Sequence, residues 1–312
     1  MKAFIFEPLW DELSTPELVN NLREAGVEYD VIKDVAPLAD YAPLFAGDEE
    51  RLLYLNPDYV SWKLTADDYK NIPNLKGIFG AATSFSWIDT SYATEHDIPV
   101  SNIKGFSAEA VAEWAIMMML NVARQTPRLI KDGFPLDFDK DFMKYRGVEL
   151  HDKIAGIVGL GKIGTLIAQR CKGLGMEVMY WSKNSRSDEF SYVELPELMA
   201  NADVIFPIMA VNEETKGIIT NELLHAMKPS AILIDETNHL FDQAEVFKMV
   251  CEGKLYGFGF EAKPESFDKY EGNVWAAPAY GWATDSAMAA SVRMQVENMV
   301  ATTKGDFPNR VN

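Results

Sequence analysis

The sequence predicts an α/β protein built on parallel sheets flanked by helices, and three observations carry that expectation. Residues 153–175 read KIAGIVGLGKIGTLIAQRCKGLG, a short apolar run, a turn punctuated by glycine and an amphipathic stretch. Residues 2–101 alternate short apolar runs with segments of helical period, and the alternation resumes after Trp181. Strands separated by helices return in the same direction, which yields parallel sheets covered on both faces.

The elements follow in order. Strands are expected at Lys2–Phe6, Tyr29–Lys33, Arg51–Leu55, Leu75–Gly80 and Ile98–Ser101. Between them lie helices at Thr15–Ala25, where Thr15 can cap and Pro16 takes the first position, at Thr65–Asn71 and at Ile88–Glu95. Ser107 caps a long helix to Arg124 that is apolar nearly all round and should be buried. Its Met117, Met118 and Met119 are expected to pack in a core rather than form a binding surface. Thr126–Asp152 reads as loop.

Ile154–Val158 is a buried strand, followed by Gly159, Gly161 and Gly164 at G-x-G-x-x-G spacing. The first glycine permits the tight turn, the second lets a pyrophosphate approach the backbone, and the third lets the next helix pack on the strand. That helix, Ile163 to about Leu174, offers unpaired N–H groups to an anion at its start. A strand–turn–helix setting makes a dinucleotide site the better reading than a glycine-rich structural turn. Then come strand Glu177–Trp181, helix Leu195–Asn201, strand Asp203–Phe206, helix Asn221–Met227, strand Ala231–Ile234 and helix Asp242–Cys251. Strands Leu255–Phe260 and Asn273–Trp275 and helix Ser286–Thr302 complete the chain, the last returning to the first sheet.

A chain of 312 residues has room for two domains, and 48% apolar with 24% charged residues is ordinary for a globular protein. A net charge of −18 argues against nucleic acid and anionic membrane as partners. The N-terminus reads as a strand rather than a signal peptide, and no apolar run approaches a membrane span. Cys171 and Cys251 are expected as buried thiols of a cytoplasmic protein, and the cysteines and histidines lack metal-ligand spacing.

Five stretches in order, AATSFSWIDTSYATEHDIPVSN, GFSAEAVAEWAIMMMLNVAR, GVELHDKIAGIVGLGKIG, NEETKGIITNELLHAMKPSAILI and GKLYGFGFE, resemble the D-isomer-specific 2-hydroxyacid dehydrogenases over nearly the whole chain. The resemblance implies two doubly wound parallel-sheet domains. A Rossmann-like nucleotide-binding domain, residues 103–281, is inserted in a flavodoxin-like substrate domain, residues 1–102 and 282–312. It also implies a hydride-transfer cleft and a homodimer built on the helix after Ser107. Cofactor contacts carried over are Gly159, Gly161, Lys162, Ile163, Gly164, Thr237 and Glu261, and Thr83 and Ser84 fall in the loop that binds substrate carboxylate.

An NAD-preferring site places an acid about twenty residues past the glycines. Ser182 stands there, with Lys183 and Arg186 beside it, so the expected cofactor is NADP, with NAD possible.

The resemblance implies a catalytic arginine, histidine and glutamate. The loop after AILI runs DETNHLFD, one residue short, with Asn238 at the arginine position and His239 beside it. Ala279 stands at the histidine position in APAYGWATD. The glutamate position falls on Ser266, with Glu265 one place before it. Tyr280, His239 and Glu265 are the candidate catalytic groups, each with a bland reading as packing or solvated side chain. The reading taken is an NAD(P)H-dependent oxidoreductase with a non-standard active site, acting on an imine, an activated alkene or an atypical ketone. A cofactor-binding sensor or scaffold without turnover, and an ordinary 2-oxo acid reductase, stay open as alternatives.

Overall fold

The computed structural model describes every residue except 135–139, 141–142 and 263–268. The chain forms two compact units, Met1–Ser107 with Thr284–Asn312, and Ala108–Ala283. Each break falls just before a helix, at Ser107/Ala108 and at Ala283/Thr284, a few residues beyond the boundaries drawn from the sequence.

Among the described residues, the first unit holds a five-stranded sheet of β1 (Lys2–Phe6), β2 (Glu28–Ile32), β3 (Arg51–Leu55), β4 (Leu75–Gly80) and β5 (Val100–Ser101), in the order β2-β1-β3-β4-β5. Every pairing is parallel. Its helices are α1 (Trp10–Leu13), α2 (Pro16–Glu24), α3 (Ala66–Tyr69) and α4 (Ser91–Glu95). Helix α2 starts as its sequence dictates, with the Thr15 hydroxyl accepting from the Leu18 N–H at 3.3 Å and Pro16 in the first turn. It buries Leu18 and Leu22 against Ala3, Ile5 and Val296.

The second unit opens with α5 (Ala108–Ala123) and α6 (Thr126–Lys131). Gln125 takes a left-handed φ of 54°, which breaks the helical run and lets Pro127 restart it, so part of the expected loop is helix. Helix α5 buries Met118, Met119 and Val122 completely, while Leu120 stays 41% exposed. Each such buried side chain contributes about 1.5–3 kcal/mol. The helix has one buried face rather than being buried all round.

The sheet of this unit comprises β6 (Ile154–Val158), β7 (Glu177–Trp181), β8 (Ser191–Tyr192), β9 (Val204–Pro207), β10 (Ile232–Asp235), β11 (Gly257–Ala262) and β12 (Val274–Pro278). Its order is β12-β11-β10-β9-β6-β7-β8, parallel throughout. Helices α7 (Lys162–Gly173), α8 (Leu195–Asn201), α9 (Asn221–His225) and α10 (Gln243–Cys251) connect these strands. The order reverses at β6, with β7 on one side and β9 on the other, and such a switch point opens a crevice at the carboxyl ends of the strands. The fold class is therefore the expected one, with two parallel doubly wound sheets.

Helix α11 (Asp285–Thr302) returns to the first unit, capped by Thr284, whose hydroxyl accepts from the Ala287 N–H at 3.2 Å. Cys171 is buried, and burial pushes its thiol up to about 12. Cys251 is exposed, contrary to expectation, because it ends α10 away from the face that carries Val246, Met249 and Val250.

Candidate functional site

The glycine turn shows three different demands on one motif. Gly159 has φ of 107°, and a Cβ there would lie 2.5 Å from Met209 Cγ and 2.7 Å from Ile208 O. A Cβ on Gly164 would lie 2.2 Å from Gly159 O. Packing inside the chain thus excludes any side chain at these two positions. At Gly161 a Cβ would meet nothing within 4 Å. Gly161 is also the N-cap of α7, with no side chain capping the helix start. A helix of twelve residues therefore presents its first amides, those of Lys162, Ile163 and Gly164, to a cradle that the chain does not fill. This is a fit for a pyrophosphate at the switch point between β6 and β9.

At the end of β7, Ser182 is buried, and its hydroxyl accepts from the Ser185 N–H at 3.2 Å. Arg186 donates to the carbonyls of Ser182 and Ser185 at 2.9 and 2.8 Å and lies 4.3 Å from the centre of the Tyr192 ring. Lys183 pairs with Glu214, which follows β9, and that pairing holds the Glu214 carboxyl below its ordinary range. The basic residues expected near a 2′-phosphate are present, but an acid that the sequence did not single out already engages one of them.

Beyond β10 the shortened loop is organised by Asp235. Its Oδ1 accepts from the amides of Thr237 and Asn238 at 3.0 and 3.2 Å and from the Thr237 hydroxyl at 3.0 Å, while Oδ2 accepts from Gln243 at 3.3 Å. Gln243 also donates to Asn238 Oδ1 at 2.7 Å. Asn238 and His239 both adopt left-handed backbone, φ of 56° and 65°, so the chain turns tightly where one residue is missing. The amide at the expected arginine position is thus tied into the loop, and His239 is exposed.

Glu261, on β11, accepts from the Gly281 N–H at 2.9 Å, and burial lifts its carboxyl to about 7. A Cβ on Gly281 would lie 2.8 Å from Glu261 Oε1 and 3.0 Å from Trp114 Cδ1, which places Trp114 and Glu261 around the same backbone. Sequence reasoning missed Glu236, the residue after β10. Both its carboxyl oxygens are shielded from solvent and have no hydrogen-bond partner among the described residues. Burial pushes it up to about 9, with Glu261 and Asp235 adding like-charge repulsion. Its signal in the sequence was a glutamate directly following the apolar strand ILID.

Of the other expected residues, Tyr280 is 60% exposed and Ala279 supplies a carbonyl to Trp282 Nε1 at 3.1 Å. Glu265 and Ser266 lie outside the described residues. In the first unit, Thr83 and Ser84 are exposed on the loop after β4. That loop is anchored by Asn102 donating to Thr83 O at 2.6 Å and Trp87 donating to Ser84 O at 2.8 Å. Asn298 of α11 holds Asn102 in turn, at 3.2 Å.

Residues 116–279 match the family model for the NAD-binding domain of D-isomer specific 2-hydroxyacid dehydrogenases. A glyoxylate reductase from Korarchaeum cryptofilum is 30% identical, over 95% of this chain and 93% of its own. Among solved structures, a glyoxylate reductase from Paecilomyes thermophila superposes with a TM-score of 0.80 at 21% identity, covering 99% of this chain and 97% of its own. An acyclic imino acid reductase in complex with NADPH and D-Arg gives 0.78 at 22% identity, with full coverage of both chains. At these identities the two structures speak for the fold alone.

Proposed function

Because the chain belongs to the D-isomer specific 2-hydroxyacid dehydrogenase family, we propose that it is an NAD(P)H-dependent reductase of a small 2-oxo acid. The observation that carries the cofactor half is the open position at Gly161, at the uncapped start of α7. The substrate half is supported by the full-length relative named for glyoxylate reduction. This order reverses the one drawn from the sequence alone, which put a non-standard substrate first.

When bound, the cofactor supplies a hydride to the substrate carbon. The chain's part is to hold and orient. The amides of Lys162, Ile163 and Gly164 would take the pyrophosphate, Ser182, Lys183 and Arg186 would meet the adenosine ribose, and Thr237 and Glu261 would serve the nicotinamide end. The loop of Thr83 and Ser84 offers donors to the substrate carboxylate. A homodimer with α5 in or beside the interface belongs to the same reading.

NADPH is expected to bind more tightly than NADH, by about tenfold or more, because Ser182 replaces an acid and Lys183 offers a charge-assisted bond. The Lys183–Glu214 pair gives a sharper form of this expectation. Glu214→Ala should tighten NADPH by a few fold and leave NADH nearly unchanged, while Lys183→Ala should weaken NADPH selectively. Fluorescence titration of both cofactors checks this, and equal affinities in the unmodified protein would remove the preference.

A second reading, reduction of an imine, an activated alkene or an atypical ketone, is favoured by one observation. Asn238 and Ala279 stand where the resemblance implies arginine and histidine, and Asn238 is engaged by Gln243. The neighbour named an imino acid reductase adds that the same fold serves such a substrate. Loss of reduced-cofactor absorbance separates the readings. Glyoxylate, pyruvate or hydroxypyruvate should be reduced on the first, whereas imines or enones alone would be reduced on the second. Tight cofactor binding with no oxidation by any of them would leave the sensor or scaffold.

A further inference from the structure

Hydride addition to a carbonyl or imine leaves a lone pair on the oxygen or nitrogen that must take a proton. The second sheet brings the carboxyl ends of β10, β11 and β12 to one edge, and the obvious donors there are weak candidates. His239 and Tyr280 are solvent-facing side chains, and position 279 is alanine.

A carboxyl stands at that edge instead. Glu236 follows the last residue of β10, and among the described residues neither of its oxygens, both shielded from solvent, has a hydrogen-bond partner. Among the described residues, the charged groups that act on it are Asp235 beside it and Glu261 on β11, both acids. Those two neighbours are satisfied by donors of the chain, Asp235 by Thr237, Asn238 and Gln243, and Glu261 by the Gly281 amide. Trp114 Nε1, on the α5 side of Gly281, is buried without a partner as well. A packing role at this position would be served by leucine or methionine, and a structural polar role would bring a partner. A buried acid with neither is costly to keep unless a ligand completes it. A neutral carboxylic acid also suits an anionic substrate, since it repels nothing and carries one O–H to give.

The geometry points to Glu236 as the group that hands its Oε proton to the oxygen or nitrogen of the substrate, an inference that rests on the reductase reading above. The balance closes. The C=O or C=N π bond breaks, the reduced nicotinamide provides two electrons and one hydrogen to carbon, and the O–H bond of Glu236 breaks as the new O–H or N–H forms. Glu236 is left as carboxylate and takes up a proton from water that enters as product leaves, before the next turnover.

The first arm of the test needs no cofactor. Infrared difference spectra of the unmodified protein against Glu236→Gln at pH 7 should show one carboxylic C=O stretch that vanishes in the variant. In the unmodified protein that stretch should titrate away toward pH of about 9. An ionised Glu236 at pH 7 would overturn the proposal. The second arm is single-turnover reduction of glyoxylate by bound NADPH. Glu236→Gln should slow it by about 10²- to 10⁴-fold with NADPH affinity kept within about twofold. Glu236→Asp, which retains the acid, should recover part of the rate. A variant running at the unmodified rate would also overturn it. If the unmodified protein reduces no 2-oxo acid or imine while the acid band is present, the reductase reading fails and the buried neutral acid stands. Circular dichroism of both variants guards against misfolding.

Discussion

Gly161→Ala should weaken cofactor binding at least about tenfold while leaving the fold intact, and Gly164→Ala should damage the fold itself. The two glycines sit three residues apart in one turn, yet the space around them differs completely. At Gly161, with φ of −88°, alanine is conformationally ordinary and its Cβ would meet no other described residue within 4 Å. The protein has no internal reason for glycine there, so the reason lies with what approaches from outside. A methyl group pointed at the helix start would hold a pyrophosphate away from the amides of Lys162 and Ile163. We expect NADPH and NADH both to weaken at least about tenfold, equivalent to about 1.4 kcal/mol, with Tm within a degree or two of the parent. At Gly164 the added carbon would sit 2.2 Å from Gly159 O, which is backbone and cannot swing aside. Helix α7 would have to lift from β6, at a cost of about 1–3 kcal/mol or more. Parallel thermal melts and cofactor titrations of the two variants decide it. A Gly161→Ala protein that binds NADPH as tightly as the parent would place the pyrophosphate elsewhere.

Much of this fold is legible in the sequence because its signals are local. Arg51–Leu55, Leu75–Gly80, Glu177–Trp181 and Leu195–Asn201 are bounded by residues that start or stop elements whatever surrounds them. The glycine turn announces itself by its spacing, although only Gly164 answers to backbone of its own turn, Gly159 O, while Gly159 answers to Ile208 and Met209 beyond β9. What escapes is set by distant contacts. Nothing local marks Gln125 as left-handed, so α6 was hidden in a loop. Strand β8 is two residues held by its pairing to β7. At the site, a glutamate in DETN reads as a solvated loop acid, and only tertiary packing removes both of its oxygens from water. Likewise the Lys183–Glu214 pair joins residues 31 positions apart. The sequence shows basic side chains after β7 but could not say what they already hold.

Glu236→Gln should make the protein more stable at neutral and mildly alkaline pH. The sign follows from proton counting. Glu236 titrates at about 9 in the folded chain against an ordinary 4.5. Between those values the folded state holds a proton that the unfolded state has released, so stability falls as pH rises, by about 1.4 kcal/mol per unit. Glu261, lifted to about 7, adds a second slope of the same sign between about pH 4.5 and 7. Two acids that repel titrate as a pair, so the curve belongs to both. At pH 7 the penalty from Glu236 alone is roughly 3 kcal/mol. Glutamine removes the ionisation that favours the unfolded chain but leaves a buried amide without partners, which offsets part of the gain. A net stabilisation of roughly 1–3 kcal/mol is expected at pH 7, growing toward pH 9 and disappearing near pH 4. Denaturant unfolding at several pH values, compared between parent and variant, reads both the size and the slope. A variant less stable than the parent at pH 8, or one with an unchanged slope, would mean that Glu236 is ionised and held by a donor, and the acid would then have no proton to give. Natural chains keep a residue that costs stability where a function needs it. A more stable and slower Glu236→Gln protein would tie the cost and the chemistry to the same carboxyl.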